Sequence, residues 1–335
     1  MSTCVDGRPY GGQTVRGTAS YASFVLRIGP VVSTSLAVSG EGAAVQRWTW
    51  AYLSGHLGTV GYMTSVHARA DAFRALHVPG RPLLMPNPWD PGTARLLASL
   101  GFQALATTSS GHAATFGRLD GAVDKDDVLA HAAALVAAVD VPVSADLENG
   151  FGADPGEVAR TVTEAAAVGL AGCSIEDFTG DPGDPIYDLG LATERVAAAV
   201  EAARASGLVL TARAENFLRG DPDLARTIER LQAYQEAGAD VLYAPALTTL
   251  EQVRSVVTSV DRPVNVLVRA DLPPVADLAA AGVARISVGG AFSQVALGAV
   301  TRAGRELLDG GTYGWLDLAA EGRSSAAAAF GGDGG

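Results

Sequence analysis

The chain has 335 residues, of which 48% are hydrophobic and 18% charged, so the composition predicts a large soluble domain with a real core and excludes disorder throughout. The formal net charge is -12, and no cluster of lysine and arginine offsets it, which argues against a nucleic-acid partner or an anionic membrane surface and favours a small-molecule partner. Cys4 and Cys173 are too few for a disulfide framework or a cysteine zinc site, and no apolar stretch reaches the length of a membrane span, so we expect a cytoplasmic protein.

Residues 1–62 are rich in Gly, Ser, Thr and Val and show no sustained helical or strand period. We expect them to form a disordered N-terminal extension, with a loosely packed appendage as the alternative. The segment 65–76 reads as a first amphipathic helix after a possible cap at Thr64 or Ser65. This pattern favours Met63 as the natural start of the folded domain.

From residue 82 onward, short apolar runs alternate with Ala- and Leu-rich helical stretches. The predicted strands are 83–86, 104–108, 141–147, 172–176, 208–214, 241–245, 264–268 and 285–289. The helical segments between and after them are 93–100, 126–138, 155–167, 193–205, 224–237, 250–260, 275–280 and 292–308. Alternation of this kind requires parallel strands joined by crossovers, and eight units predict a closed (β/α)8 TIM barrel over residues 63–316.

Glycines mark the ends of several predicted helices. Gly169, Gly238 and Gly282 each stand between a helix and the next strand, where a residue with positive φ ends a helix most easily. An open doubly wound sheet is the alternative architecture, although such sheets usually have fewer strands. Residues 317–335 are mostly Ala, Ser and Gly, and we expect a disordered tail.

Acidic residues collect where the predicted strands end. Asp146 and Glu148 lie two positions apart at the end of the third strand, so both side chains leave the same face. Glu176 ends the fourth strand, and Asp120 follows the second. Four oxygen donors without His or Cys predict a site for a hard cation, Mg²⁺ before Zn²⁺, with Mn²⁺ as a second choice.

Arg213 lies inside an otherwise apolar strand, where a guanidinium needs an anion. That anion is either a protein neighbour such as Glu215 or the carboxylate of a substrate, and we place both residues among the catalytic groups. Asn265, in the seventh strand, is a predicted substrate contact.

The segment 107–112 follows the second strand and reads Thr-Thr-Ser-Ser-Gly-His. Adjacent Ser and His do not form a catalytic triad, and no Gly-x-Ser-x-Gly elbow is present, which argues against a serine hydrolase. The backbone N–H groups around Ser109, Ser110 and Gly111 are instead predicted to form an anion-binding nest for a developing oxyanion. His112 is either a local hydrogen-bonding residue or a substrate contact.

With these motifs in view, the sequence resembles the isocitrate lyase/phosphoenolpyruvate mutase superfamily from about Met63 to Trp315. The motifs that carry the resemblance are Leu-Met-Pro-Asn-Pro-Trp-Asp at 84–90 with Ala-Arg-Leu at 94–96, residues 107–114, Ala-Asp-Leu-Glu-Asn-Gly-Phe-Gly at 145–152, Ser-Ile-Glu-Asp at 174–177 and Ala-Arg-Ala-Glu at 212–215. The resemblance implies a barrel of the phosphoenolpyruvate-binding type, assembled as a homo-oligomer, commonly a tetramer that exchanges C-terminal helices. It also implies chemistry on a C–C or P–C bond next to a 2-oxo or 2-hydroxy acid.

Individual roles follow from the same resemblance. Asp146 would be the principal ligand of Mg²⁺, with Asp120, Glu148 and Glu176 acting directly or through water. Arg213 would hold the substrate carboxylate, and the backbone from Thr108 to Gly111 would receive the substrate's oxygens. Trp89 would stand where the family places an aromatic residue against the substrate.

One segment departs from the family pattern. Lyases of the superfamily carry Lys-x-Cys-Gly-His in a gating loop after the fourth strand, whereas residues 178–190 contain no Lys, Cys or His. The Gly, Pro and Asp content still suits a lid, and Tyr187 is a hypothetical proton donor. We expect a Mg²⁺-dependent carbon–carbon lyase acting on a small carboxylate through an enolate. The alternatives are P–C chemistry, as a mutase or phosphonopyruvate hydrolase, and a carboxylate-binding barrel without turnover.

Overall fold

The computed structural model describes residues 67–331. The predicted extension at 1–62, the possible start at Met63 and the last residues of the tail, 332–335, lie outside this range. Within it, no helix is both long enough and apolar enough to cross a membrane.

Eight parallel strands form a single sheet, as the sequence predicts. They are β1 Leu83–Met85, β2 Leu105–Ala106, β3 Val143–Asp146, β4 Gly172–Glu176, β5 Val209–Arg213, β6 Val241–Tyr243, β7 Val264–Leu267 and β8 Arg285–Ser287. The spatial order β1-β8-β7-β6-β5-β4-β3-β2 runs once around a barrel. At the seam between β1 and β2, the Ala106 N–H donates to the Pro86 carbonyl over 3.1 Å. The (β/α)8 TIM barrel is therefore confirmed.

Helices separate the strands and surround the sheet. In the described range they are α1 (residues 67–75), α2 Pro91–Ser99, α3 Ser109–Thr115, α4 Lys125–Ala138, α5 Pro155–Ala167, α6 Leu189–Ser206, α7 Leu224–Ala237, α8 Leu250–Ser259, α9 Val275–Ala280, α10 Ala291–Arg305 and α11 Leu316–Phe330. A π-helical turn, Glu306–Gly310, extends α10. The predicted helix-ending glycines 169, 238 and 282 all have positive φ, at 89°, 104° and 88°.

Apolar side chains fill both faces of the strands. Ile175, Leu210 and Leu242 are almost completely buried, as is expected of a parallel sheet covered by helices on the outside. Alternate strand positions point into the barrel, and the polar ones among them lie toward one end. The apolar core therefore stabilises the barrel, and the polar side chains at the carboxyl ends of the strands are the candidates for catalysis.

The prediction of disorder at 317–335 is wrong for most of that segment, because residues up to Phe330 belong to α11. The segment is rich in Ala, which has the highest intrinsic helix propensity, so an Ala- and Ser-rich composition fits a helix as well as a tail. Phe330 lies against α2, with its Cζ 3.8 Å from the position a Cβ would take on Gly92. The composition of the segment does not reveal that α11 packs against α2.

Candidate active site

A cavity of about 160 Å³ opens among the carboxyl ends of the strands. Seven of the residues that the sequence predicts for the site line it: Thr108, Ser109, Ser110, Asp120, Asp146, Arg213 and Asn265. They come from the β2, β3, β5 and β7 segments, which converge only when the barrel closes. The structure thus brings most of the predicted polar residues to one place.

Arg213, the last residue of β5, joins three carboxylates. Its Nη1 donates to Asp146 Oδ1 over 2.9 Å, and its Nη2 lies 2.9 Å from Glu176 Oε2 and 2.8 Å from Glu215 Oε1. Burial alone would lower the pKa of Arg213, but Glu176, Glu215 and Asp146 more than reverse this and raise it well above its usual value. The guanidinium is therefore a permanent cation that fixes the three acids in position.

Glu176 and Glu215 lie beneath the rim and are almost without exposure, at 6% and 0%. Burial raises the pKa of both carboxyls, and the nearby Arg213 opposes the rise. A second arginine, Arg219, lies 3.5 Å from a carboxylate oxygen of each. The Glu215 N–H also donates to Asp177 Oδ1 over 2.8 Å. Glu215 therefore anchors Arg213 from below and does not line the cavity.

Asp146 has defined partners for both carboxylate oxygens. Ser109 Oγ donates to Oδ2 over 3.1 Å, and Arg213 holds Oδ1. The Asp146 backbone N–H donates to Thr107 Oγ1 over 2.9 Å, which ties the end of β3 to the end of β2. The carboxylate is consequently oriented at the cavity wall before any ligand arrives.

Glu148 stands two residues further on, with a φ of 50°. This left-handed conformation costs a residue with a side chain about 1–3 kcal/mol, so the surroundings must enforce it. Burial, followed by the charges of Asp146 and Asp120, raises the pKa of Glu148 to about 7. Three acids therefore share one region whose negative charge Arg213 only partly offsets.

These residues suit a hard cation in their chemistry. Among residues 67–331, no group of three or more His, Cys, Asp or Glu side chains is already arranged around a common point, and Asp146 and Glu176 are instead bridged by Arg213. Burial and, after it, the charges of Asp146 and Asp120 nevertheless raise the pKa of Glu148, and a divalent ion beside these carboxylates would offset both effects. Asp146, Glu148 and Asp120 therefore fit such an ion, whereas Glu176 is held by arginines.

The predicted anion nest forms the start of α3. Thr108 is the N-cap, and its Oγ1 accepts the Gly111 N–H over 3.3 Å. A Cβ on Gly111 would come within 2.5 Å of Thr108 Cγ2, so only glycine fits there. Since that N–H is used for capping, Gly111 is not a free donor. Ser109 and Ser110 line the cavity, and the Ser109 hydroxyl already donates to Asp146.

Two predicted substrate contacts lie away from this cavity. The His112 ring stacks on His131, with centroids 3.8 Å apart, and burial followed by the charge of His131 lowers the pKa of His112 to about 4. Trp89 lines a separate pocket with Gly111 and Ser293, and its carbonyl oxygen contacts His131 Nε2 at 2.9 Å. His112 is part of α3 and Trp89 packs against that helix at Gly111, so neither residue lines the cavity.

The loop that departs from the family pattern folds back on itself. Phe178 and Ile186 form an antiparallel bridge, and the Arg219 guanidinium lies 3.5 Å from the centre of the Phe178 ring. The Tyr187 ring stacks 4.2 Å from the guanidinium carbon of Arg195 and does not line the cavity. Tyr187 therefore has a structural contact with Arg195 and does not contact the cavity.

Sequence reasoning missed several groups that line the cavity, above all Arg285 and Tyr243. Arg285 begins β8, and Tyr243 ends β6, where its ring lies 5.1 Å from the Arg213 guanidinium. The signal that identified Arg213, an arginine inside an apolar strand, is equally present at Arg285. A rule that takes site residues from the last positions of each strand does not select Arg285, because Arg285 is the first residue of β8.

Comparison with known proteins gives a consistent set of relatives. A family model described as phosphoenolpyruvate phosphomutase matches residues 73–308. An uncharacterised Mycobacterium tuberculosis protein is 32% identical over 240 residues, covering 71% of this chain and 90% of its own. The 2-methylisocitrate lyase of Escherichia coli is 33% identical over 208 residues, covering 60% of this chain and 70% of the enzyme.

A solved structure agrees with the sequence relatives. A Burkholderia cenocepacia protein classed as a lyase/mutase is 51% identical, with a TM-score of 0.75, over 78% of this chain and 95% of that one. A lyase is thus among the relatives, and the matching family model is that of a phosphomutase, which together indicate an enzyme. The chain belongs to the phosphoenolpyruvate phosphomutase family and, with it, to the isocitrate lyase/phosphoenolpyruvate mutase superfamily.

Proposed function

We propose that the protein is a Mg²⁺-dependent carbon–carbon lyase acting on a small 2-oxo or 2-hydroxy carboxylate through an enolate. One observation carries the proposal: a single cavity at the carboxyl ends of the strands combines Asp146 and Asp120 with Ser109, Ser110 and Arg213. Acids to hold a cation and donors to receive oxygens are what enolate chemistry needs. The likeness to 2-methylisocitrate lyase supports a C–C bond as the target.

The cation would be held by Asp146, with Glu148 and Asp120 acting directly or through water. Glu176 is the fourth candidate, and its approach requires that one of its contacts with Arg213 or Arg219 loosen. When bound, Mg²⁺, or Mn²⁺ in its place, supplies positive charge to the substrate oxygens and to the enolate oxygen that develops as the bond breaks.

Residues of the chain do the remaining work. Arg213 and Ser109 keep Asp146 in one orientation, which limits reorganisation during the reaction. One N–H on Arg213 Nη1 has no partner among the described residues and is available to a substrate carboxylate. Asn265 presents an amide oxygen without a partner in the same range and can accept a hydrogen bond from a hydroxyl.

Two alternatives are tested by the same assays. Phosphorus–carbon chemistry is supported by the family model. A barrel that binds a carboxylate without turnover is supported by the absence of the Lys-x-Cys-Gly-His motif from residues 178–190. The products separate these classes, because a lyase releases a 2-oxo acid or aldehyde acid, whereas P–C chemistry releases or moves phosphate.

The decisive experiment is a screen of 2-oxo, 2-hydroxy and phosphono acids with Mg²⁺, with detection of pyruvate, glyoxylate, CO₂ and phosphate. Asp146→Ala should abolish the Mg²⁺-dependent activity, because it removes the principal ligand. Asp140→Ala is the matched control, since Asp140 is exposed in the loop that precedes β3, at the other end of the barrel. Wild-type activity in Asp146→Ala would refute the assignment of Asp146 as the principal ligand and of this cavity as the metal-dependent active site.

We also propose a homo-oligomer, a dimer or tetramer, located in the cytoplasm. The support is α10 and the turn that extends it, where Val295 and Val300 are 67% and 71% exposed and Leu308 is 86% exposed. Large apolar side chains exposed along one element commonly mark a protein interface. The free, buried Cys173 suits a reducing compartment.

A further inference from the structure

Arg285 lies inside the barrel and lines the same cavity as Asp146 and Arg213. It is 3% exposed, although an arginine is almost never buried to this degree without a charged partner. Register places it on one hydrogen-bonded row with Arg213, Tyr243 and Asn265, so that all four side chains leave the sheet on the same side. Arg285 is thus a second cation facing the site.

The partners of Arg285 are neutral. Its Nη1 lies 3.2 Å from His77 Nε2, its Nη2 donates to Thr211 Oγ1 over 3.1 Å, and its Nε has no partner among the described residues. His77 Nδ1 lies 2.9 Å from the Phe73 carbonyl oxygen, so Nδ1 carries the proton and Nε2 is free to accept. Burial, followed by the charge of Arg285, lowers the pKa of His77 to about 3, which keeps the ring neutral.

Arg285 and Arg213 differ in the charge of their partners. Arg213 is surrounded by three carboxylates, whereas no ion pair joins Arg285 to any carboxylate in residues 67–331. Burial lowers the pKa of Arg285 to about 10, with Arg213 acting in the same direction and Tyr243 opposing it. The cavity therefore has one cation already neutralised by the protein and another that lacks an anion.

We propose that Arg285 binds a carboxylate of the substrate at the inner end of the cavity, and so selects substrates that carry one carboxylate there and a second at the reacting end. The reacting end lies beside Asp146 and Ser109. The planar guanidinium has three N–H groups left after the bonds to His77 and Thr211, which is enough for a two-point contact with a carboxylate. This inference rests on the proposed function, because it names the substrate class of that same site.

A role for Arg285 as a purely structural brace would use only the two bonds to His77 and Thr211. It gives no reason for the unpartnered Nε or for a cation in place of a neutral side chain, whose burial costs less. A substrate carboxylate accounts for both. The two readings differ in a measurable way, since only the second makes Arg285 discriminate between ligands with one and two carboxylates.

The test is calorimetric titration of the full chain, with Mg²⁺ present, using succinate and butyrate as probes of equal carbon number. Wild type should bind succinate at least tenfold more tightly than butyrate. Arg285→Met should reduce that ratio to about one, and Arg285→Lys should retain part of it because the charge remains. Arg254→Met is the matched control, since Arg254 is exposed on α8 and its variant should keep the wild-type ratio.

Several outcomes would overturn the inference. Equal binding of succinate and butyrate by wild type would do so without any variant, which matters if Arg285→Met does not fold. An unchanged ratio in Arg285→Met, even with a lower melting temperature, would leave a structural brace only. Because no turnover is measured, a protein that prefers succinate yet catalyses nothing would refute the proposed function and leave this inference standing.

Discussion

Replacing Arg213 by Met should destabilise the barrel strongly. The change preserves much of the side-chain length but leaves Glu176 and Glu215, which are 6% and 0% exposed, with only Arg219 nearby at 3.5 Å. Removing one partner from a buried ion pair costs about 3–5 kcal/mol, because a charge remains in a medium of low dielectric. In a domain of this size that corresponds to a fall in Tm on the order of 10 °C.

The loss should also depend on pH. Burial already raises the pKa of Glu176 and Glu215, and Arg213 opposes that rise, so its removal should raise both further. A carboxyl whose pKa is higher in the folded state than in the unfolded state favours folding at low pH, and this contribution disappears as pH rises through the folded-state pKa. Arg213→Met should therefore be closer to wild type at pH 5 than at pH 8.

Thermal and urea denaturation in EDTA at pH 5, 6.5 and 8 would measure this effect. The control is Arg226→Met, because Arg226 pairs with Asp221 at 2.7 Å on the surface, where both side chains are more than a third exposed. Such pairs contribute about 0–1 kcal/mol. The reasoning would be refuted if Arg213→Met lost no more stability than Arg226→Met, or if its loss were the same at every pH.

Two further predictions concern the metal and the assembly. Because the pKa of Glu148 is raised to about 7, a cation must displace a proton below that pH, so the dissociation constant for Mg²⁺ should be about tenfold larger at pH 6 than at pH 8; equal values by calorimetry would contradict this. Val295→Lys combined with Val300→Lys should lower the mass measured by analytical ultracentrifugation, because a charge on each side chain opposes burial in an interface. An unchanged mass would exclude these two positions of α10 from the interface.

Much of the fold follows from local rules in the sequence. The eight apolar runs, and glycines such as Gly238 at the helix ends, each reflect a constraint within a few residues, and the structure agrees with them. Arg213 was also recognisable, because a guanidinium in an apolar strand demands an anion. Its partners were harder to predict from the sequence, because Asp146 and Glu176 approach Arg213 only when β3, β4 and β5 pair.

Arg285 shows where reasoning along the chain fails. It stands first in β8, and a rule that looks for site residues at the ends of strands passes over it. In a barrel, however, the strands are tilted and staggered, so a row that starts at Arg213 near the end of β5 reaches the beginning of β8. For Gly111 the prediction of a free backbone donor fails because of a local contact: its N–H donates to the side chain of Thr108, three residues earlier.

Asn87 closes the seam where the sheet has the fewest ladder bonds. Its Nδ2 donates to the Thr107 carbonyl over 2.8 Å, and its Oδ1 accepts the N–H groups of Val288 and Gly289 over 3.1 and 2.9 Å. One side chain therefore joins segments about two hundred residues apart in the chain. The amide protons of Val288 and Gly289 can exchange with solvent only when their hydrogen bonds to Asn87 break. Their exchange rates therefore measure how often the barrel opens locally between β1 and β8.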